Sequence, residues 1–418
     1  MSIQTTPQGE RTQIVIFGKR NAGKSSVLNA LTGQQMAIVS DVAGTTTDPV
    51  GKAMEILPIG PCMITDTAGL DDEGELGKKR MEKSLAALHK ADIALIIIDI
   101  NTYSEEIFAS GRGVSETEYK IIEKISEKNI PYILVLNQTD RMERTEAEKL
   151  RQLAAEKNGG ASVVLVSAET NDGIEALKQE IIKKLPKEDK DLKLLGDLVN
   201  PGEIVVLVTP IDSAAPKGRL IMPQQQTIRD LLDHHAACVV TQVEELTGVL
   251  ESLRGQVKLV VTDSQAFREV DMVVPKEIRL TSFSILFARK KGNLQTLIDG
   301  VRAVENLKDG DRVLIAEGCT HHRQCEDIGT VKIPNLLKKY TGKELSLEWS
   351  SGTGFPEKLS EYALVIHCGG CTLSEKEMKY RLEKAGHEAV PIVNYGIFLA
   401  YANGILERSI EVFPDISV

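Results

Sequence analysis

With 418 residues, of which 42% are hydrophobic and 26% charged, the chain exceeds what one hydrophobic core organises and has an ordinary globular composition, so disorder is not the default. A formal net charge of −10 argues against nucleic-acid binding driven by phosphate neutralisation. The longest strongly apolar stretch, residues 93–98, falls far short of the roughly 20 residues of a membrane span. The start MSIQTTPQGER is polar and unlike a secretory signal, so a cytoplasmic location is expected.

The first segment, residues 1–186, is expected to be one P-loop domain of the α/β class. Residues 14–17 (IVIF) read as a short buried strand; GKRNAGKSS follows at once, and Val27, Leu28 and Leu31 then show helical spacing. Strand, glycine-rich loop, helix is the context a phosphate-binding loop requires. Gly18 and Gly23 let the backbone curl so that N–H groups face phosphate, and the helix N-terminus adds a favourable dipole. Lys24 is placed to reach the β- and γ-phosphates and Ser25 to ligate Mg²⁺. Asn21, Ala22 and Ser26 complete the loop. After AGTTTD, the run Met63-Ile64-Thr65-Asp66-Thr67-Ala68-Gly69 reads as a strand that ends in a carboxylate and a glycine. Asp66 suits the outer shell of Mg²⁺, and Gly69 can offer its N–H to the γ-phosphate. Apolar runs at 93–100, 132–136 (into NQTD) and 163–166 (into Ser167-Ala168) complete an alternation of strands and helices that a parallel sheet requires.

These five ordered motifs, over about residues 11–185, resemble the translation-factor-related GTPases, in particular the branch containing Era and the tRNA-modifying GTPase MnmE. The resemblance implies binding of GTP and GDP with Mg²⁺. It makes Thr46 the switch threonine on Mg²⁺, gives Asn137 and Asp140 the reading of guanine, and assigns Ser167-Ala168 to the base-side loop. The lysine usual in the guanine motif is Gln138 here, and Glu169 follows Ser167-Ala168 where lysine is common. Both changes remove packing around the base, so micromolar or weaker affinity is expected. Leu70 stands where Ras-like proteins carry a water-positioning glutamine, so intrinsic hydrolysis is expected to be slow. Asn21 matches the asparagine through which MnmE-like proteins hold K⁺, which implies K⁺-stimulated hydrolysis. Glu73 and Glu75 are candidates for orienting water, although a solvated charged turn explains them equally well. The expected catalytic set is Lys24, Thr46, Gly69 and Glu73.

The charge-dense stretch PKEDKDLKLLGDLVNPG, residues 186–202, reads as a linker. Beyond it, residues 203–209, 238–241 and 257–262 read as strands, and 227–235 and 243–253 as helices. This unit, residues 187–272, has few side chains suited to chemistry. A core of about 80 residues is marginal by itself, so pairing with a second copy would stabilise it, and a dimerisation domain and a homodimer or larger assembly are expected. His234 and His235 are read as non-ligands; Cys62 and Cys238, in apolar strands, are read as small buried hydrophobes.

Of the six cysteines, four fall between Cys319 and Cys371, a clustering that suggests metal chemistry rather than disulfides. Residues 311–317 form an apolar run ending in Gly318-Cys319-Thr320-His321-His322, and 362–366 form another ending in His367-Cys368-Gly369-Gly370-Cys371. Helical patterns at 333–340 and 375–385 follow. Both clusters therefore lie past the C-terminal ends of strands, where α/β folds build their sites. Cys319, Cys368 and Cys371 supply three thiolates with His321 and His367 close by, and Cys325 could replace one of them. A closed zinc site accepts such ligands. An iron–sulfur cluster on three cysteines, with one replaceable ligand, fits them equally.

With the G domain, the segment TPIDSAAPKGRLIMPQQQTIRD and the pattern C-x-H followed by H-C-x-x-C, the chain resembles from end to end the [FeFe]-hydrogenase maturation GTPases, the HydF family. The resemblance implies a third, iron–sulfur cluster-binding domain at 273–418. Cys319, Cys368 and Cys371 would hold a [4Fe–4S] cluster, with an exchangeable fourth ligand such as His321. It also implies a scaffold that carries a diiron precursor, with radical-SAM maturation enzymes and apo-[FeFe]-hydrogenase as partners. The rival is a zinc-stabilised MnmE-like GTPase acting on tRNA, against which the acidic charge weighs. A disulfide-forming redox switch would leave the neighbouring histidines unexplained. Residues 349–356 are expected to form a loop beside the cluster.

Overall fold

A computed structural model describes residues 8–33, 51–67, 88–102, 113–185, 194–210, 220–318, 327–352, 354–371 and 373–416. Thr46, Gly69, Leu70, Glu73, Glu75, Cys319, His321, His322 and Cys325 lie outside them. The chain divides into two compact units, Met1–Glu188 and Asp189–Val418. No helix among the described residues is long and apolar enough to cross a membrane.

The first unit contains β1 (Thr12–Gly18), β2 (Gly51–Ile56), β3 (Gly60–Asp66), β4 (Ile93–Asp99), β5 (Tyr132–Asn137) and β6 (Ser162–Leu165), in the order β2-β3-β1-β4-β5-β6. All neighbours run parallel except β2 against β3. Continuous apolar runs make this possible, because a parallel sheet is covered on both faces. Side chains alternate in direction along each strand. Ile14, Ile16, Ile93, Leu95 and Ile97 therefore share one core with Val27 and Leu31 of the helix Lys24–Thr32 and Leu177 and Ile181 of the helix Ile174–Lys184. Val15, Phe17, Ala94, Ile96 and Ile98 share the other with Ile121 and Ile125 of Glu116–Glu127 and Ala147 and Ala154 of Arg144–Lys157.

The second unit contains two four-stranded, all-parallel sheets. One has β7 (Ile204–Val208), β8 (Ala237–Thr241), β9 (Val257–Thr262) and β10 (Arg279–Ser282), ordered β10-β9-β7-β8. The other has β11 (Arg312–Glu317), β12 (Ser346–Ser351), β13 (Leu364–His367) and β14 (Ile392–Asn394), ordered β12-β11-β13-β14. Residues 279–282, grouped by the sequence reading with the third segment, form β10 and pair with β9. A single apolar cluster runs from Leu194 to Phe413 and includes both sheets. The sheet β10-β9-β7-β8 is thus stabilised within its own chain, by a core it shares with the other sheet, as well as by whatever assembly it joins.

Strand ends convert directly into capped helices. Ser282 closes β10 and accepts the N–H of Ile285 to start Phe283–Lys291. Asn394 closes β14 and accepts that of Ile397 at 2.8 Å to start Tyr395–Ala402. Each cap satisfies an N–H that the helix itself leaves unpaired. Two expectations are corrected. Trp349 belongs to the edge strand β12, its Nε1–H donating to Gly329 O at 3.1 Å, so residues 349–351 are sheet rather than loop. Cys238 is only half-buried because its strand β8 is also an edge, whereas Cys62 is fully buried and its thiol is pushed up to about 11.

The helix Leu406–Ile410 is fastened to the β9–β10 connection by Arg408. Its guanidinium reaches the Asp271 carboxylate at 2.5 Å and the carbonyls of Asp271, Val274, Pro275 and Ile278 at 2.6–3.3 Å. Burial pushes the Asp271 carboxyl upward, but hydrogen bonds from Arg408 and Lys276 outweigh it and hold the group below its ordinary range. Arg408→Met should cost the second unit ~3 kcal/mol in urea unfolding at neutral pH. A depressed carboxylate contributes fully above its unfolded pKa and loses that contribution as pH falls through the folded one, so the deficit should narrow in acid.

Candidate functional site

In the first unit the register brings the strand ends level: Ile16 lies opposite Asp66, Gly18 opposite Ile97, and Asp99 opposite Asn137. Loops after β1, β3, β4 and β5 therefore leave from one edge of the sheet, beside the position where strand order reverses around β1. Gly23 precedes the helix Lys24–Thr32 with φ +86°. A Cβ there would lie 2.2 Å from Asn137 Nδ2, so both its conformation and its neighbour demand glycine. Ser25 and Ser26 lie in the helix's first turn. The Lys24 ammonium donates to Gly18 O and Lys19 O, each at 2.9 Å.

Asn137 joins three segments. It is 1% exposed; its Nδ2 donates to Ala22 O at 3.0 Å, and its Oδ1 accepts from Ala168 N at 3.2 Å. The first partner only accepts and the second only donates, which fixes the orientation of the amide. Ser167 Oγ donates to Asp140 Oδ1 at 2.6 Å and accepts from Thr170 N at 3.2 Å. Asp140 is exposed, so Ser167 orients a carboxylate that still faces solvent. Gln138 has φ +66° and donates through Nε2 to Asn21 O at 3.4 Å.

In the second unit β11 and β13 are parallel neighbours, with Ala316 opposite His367. Gly318, the residue before Cys319, donates its N–H to Cys368 Sγ at 3.0 Å, and Gly370 N–H reaches the same sulfur at 3.4 Å. Gly370 has φ +60°, and a Cβ on it would sit 2.7 Å from Met378 Sδ. Cys368 and Cys371 are both half-buried. A sulfur that receives two backbone N–H groups is suited to carry negative charge, and the donor set fits a soft, thiolate-bound metal group. Among the described residues no three His, Cys, Asp or Glu side chains converge as a metal site, Cys319 and His321 lying outside them.

His367 is fully buried. Arg381 Nη1 donates to its Nε2 at 2.8 Å, so the ring proton lies on Nδ1 and is donated to Cys368 O at 2.7 Å. Burial first, and the Arg381 charge second, lower its pKa to about 3. With both nitrogens engaged, His367 supports the cysteine turn rather than ligating. Arg381 is itself fully buried, bonded to Glu377 Oε1 and Gly352 O and stacked 4.8 Å over Phe355. On the other side of the turn, Lys291 donates to the carbonyls of Gly370, Cys371 and Leu373.

Residues 194–292 match the hydrogen maturase F dimerization domain and residues 295–412 the hydrogen maturase F tetramerization domain, together more than half of the chain. The chain belongs to the hydrogen maturase F family. The dimerization and tetramerization domains support assembly of this chain with copies of itself, and the two matches adjoin just past the end of the helix Phe283–Lys291. Residues 13–138 match the family described as 50S ribosome-binding GTPase, and the first unit is a P-loop GTPase domain. The tRNA modification GTPase MnmE of Clostridioides difficile (strain 630) is 35% identical over 198 residues, 47% of this chain and 38% of that protein. MnmE of Aquifex aeolicus (strain VF5) is 35% identical over 177 residues, 42% of this chain and 35% of that protein. The chain thus spans less than two fifths of these relatives. Era of Aquifex aeolicus, solved with GDP and aluminium fluoride, aligns at 21% identity and a TM-score of 0.34 over 59% of this chain and 98% of that one.

Arg381 and Lys291 were not apparent from the sequence. Glu377 and Arg381 have the i, i+4 spacing of an exposed helix pair, and Lys291 ends ARKK, an ordinary basic helix C-terminus. Neither pattern signals burial. Asn137→Ala would leave Ala22 O and Ala168 N without this partner. It should destabilise the first unit by ~2 kcal/mol, read as a lowered thermal midpoint, with the second unit's transition unchanged.

Proposed function

We propose that the protein is a GTPase that holds a [4Fe–4S] cluster and carries a diiron precursor to apo-[FeFe]-hydrogenase, working as a homodimer or larger assembly with radical-SAM maturation enzymes. Membership of the hydrogen maturase F family supports the pathway. The observation that carries the cluster reading is the Cys368 sulfur, which accepts N–H groups from Gly370 and from Gly318, next to Cys319 in the chain. Cys319, Cys368 and Cys371 would hold the group, with His321 as the exchangeable fourth ligand. When bound, the cluster supplies an iron with a replaceable ligand, to which a precursor can be tethered and from which it can be released.

The protein's own residues would do the rest. N–H groups of Gly370 and Gly318 stabilise charge on sulfur, and His367, held neutral by burial and by Arg381, braces the Cys368 carbonyl. In the first unit Lys24 would move to the β- and γ-phosphates, Gly18, Ala22, Gly23 and Ser26 would line them, and Ser25 and Thr46 would ligate Mg²⁺ with Asp66 behind. Gly69 would contact the γ-phosphate and Glu73 orient water. Asp140, aimed by Ser167, would accept the guanine N–H groups, while Asn137 holds the surrounding loops, including Ala168, together. Nucleotide state would bias the assembly through the segments around Thr46 and Gly69.

Anaerobic reconstitution followed by metal, sulfide and EPR analysis tests this reading. About four iron and four sulfide per chain are expected, and the signal should be lost in Cys368→Ala. Stoichiometric zinc without iron uptake would replace the scaffold reading by a zinc-stabilised GTPase. With Leu70 in place of a water-positioning glutamine and Asn21 as the K⁺ ligand, hydrolysis should be slow. At equal ionic strength it should run about tenfold faster in K⁺ than in Na⁺, equivalent to ~1.4 kcal/mol of barrier. Equal turnover in the two salts would remove the K⁺ role.

A further inference from the structure

Lys291 is the last residue of the helix Phe283–Lys291 and is 5% exposed. Its ammonium donates to Gly370 O at 3.0 Å, Cys371 O at 2.9 Å and Leu373 O at 2.9 Å. These carbonyls come from the turn that carries Cys371, some 80 residues further along the chain. A buried ammonium carries a desolvation cost, which hydrogen bonds to carbonyl dipoles help to offset. Neutral donors could have satisfied the same oxygens at a smaller cost. The placement of a full charge under the cysteine turn is therefore informative.

Two consequences follow from the geometry. Three bonds from one nitrogen hold the peptide planes of residues 370, 371 and 373 in a single arrangement, which restricts where the Cys371 sulfur can point. A cation at this depth, in a poorly solvated surrounding, also acts over several ångströms with little screening. It favours whichever state of its neighbourhood carries more negative charge. The opposite side of the turn is held by a different device. There Arg381 donates to His367, whose other ring nitrogen donates to Cys368 O.

We propose that Lys291 is a positioning residue of the cluster site, its ammonium both fixing the Cys371 turn and raising the reduction potential of the group that the cysteines hold. The proposal rests on the cluster reading above. Reduction adds one electron to an already anionic, thiolate-bound group, and a buried cation stabilises the reduced form more than the oxidised one. Removing the charge must lower the potential. Replacing lysine by arginine keeps the charge and the donors.

The test is an EPR-monitored redox titration of the reconstituted full-length protein beside Lys291→Gln, Lys291→Met and Lys291→Arg, with gel filtration and GTP turnover reporting folding. Lys291→Gln and Lys291→Met should lower the midpoint potential by about 59 mV, a tenfold change in a one-electron equilibrium. Lys291→Arg should remain near the parent. Unchanged potentials in the neutral variants would overturn the proposal and leave the cluster reading standing. So would an equal drop in Lys291→Arg, since charge would then not be the cause. If both neutral variants fail to fold while Lys291→Arg folds, the cation serves the fold alone and the proposal falls. A parent protein that takes up no iron would remove the cluster reading, and this inference with it.

Discussion

Parallel strand pairing is the constraint on which everything else in this chain depends. Parallel neighbours send their C-terminal ends to the same edge of a sheet. In the first unit this gathers the loops after β1, β3 and β5. In the second it brings the end of β11 beside the end of β13, so that the residue before Cys319 donates to the sulfur of Cys368, 50 positions away. An antiparallel register would have put those segments at opposite edges.

Holding strands parallel demands apolar runs buried on both faces, and this explains the contrast within the second unit. The inner strands β7, β9, β11 and β13 are almost wholly buried, while the edge strands β8 and β12 carry mixed exposure. Helices that cover the two sheets are held in common, which makes one core of the unit. The same economy produces the site. Lys291 ends a helix capped by Ser282, the last residue of β10, and it reaches the turn after β13 of the other sheet. The last helix of the dimerization-domain match is thus also a support of the cysteine turn.

The two ends of the chain use related means. In the GTPase domain a buried neutral amide, Asn137, ties loops through one acceptor and one donor. At the cysteine turn, buried cations tie loops through carbonyls. A phosphate-binding loop already offers its N–H groups to an anion, whereas a thiolate site gains from fixed positive charge.

The sequence by itself determined the class of both units, the phosphate loop and the position of the two cysteine segments at strand ends. Glycine-rich loops, strand-length apolar runs and the placement of Cys319, Cys368 and Cys371 after such runs are local signals, and local signals survive in a string of residues. The strands β10, β12 and β14 were not legible, being three to six residues long and partly polar. Burial of Lys291 and Arg381 was not legible either, because a charged residue on a helix reads as solvated until the packing around it is known. Only the tertiary structure decided that His367, adjacent to Cys368, gives both ring nitrogens to neighbours. Those neighbours lie 14 positions away in one case and in the peptide backbone in the other, so no spacing rule could have found them.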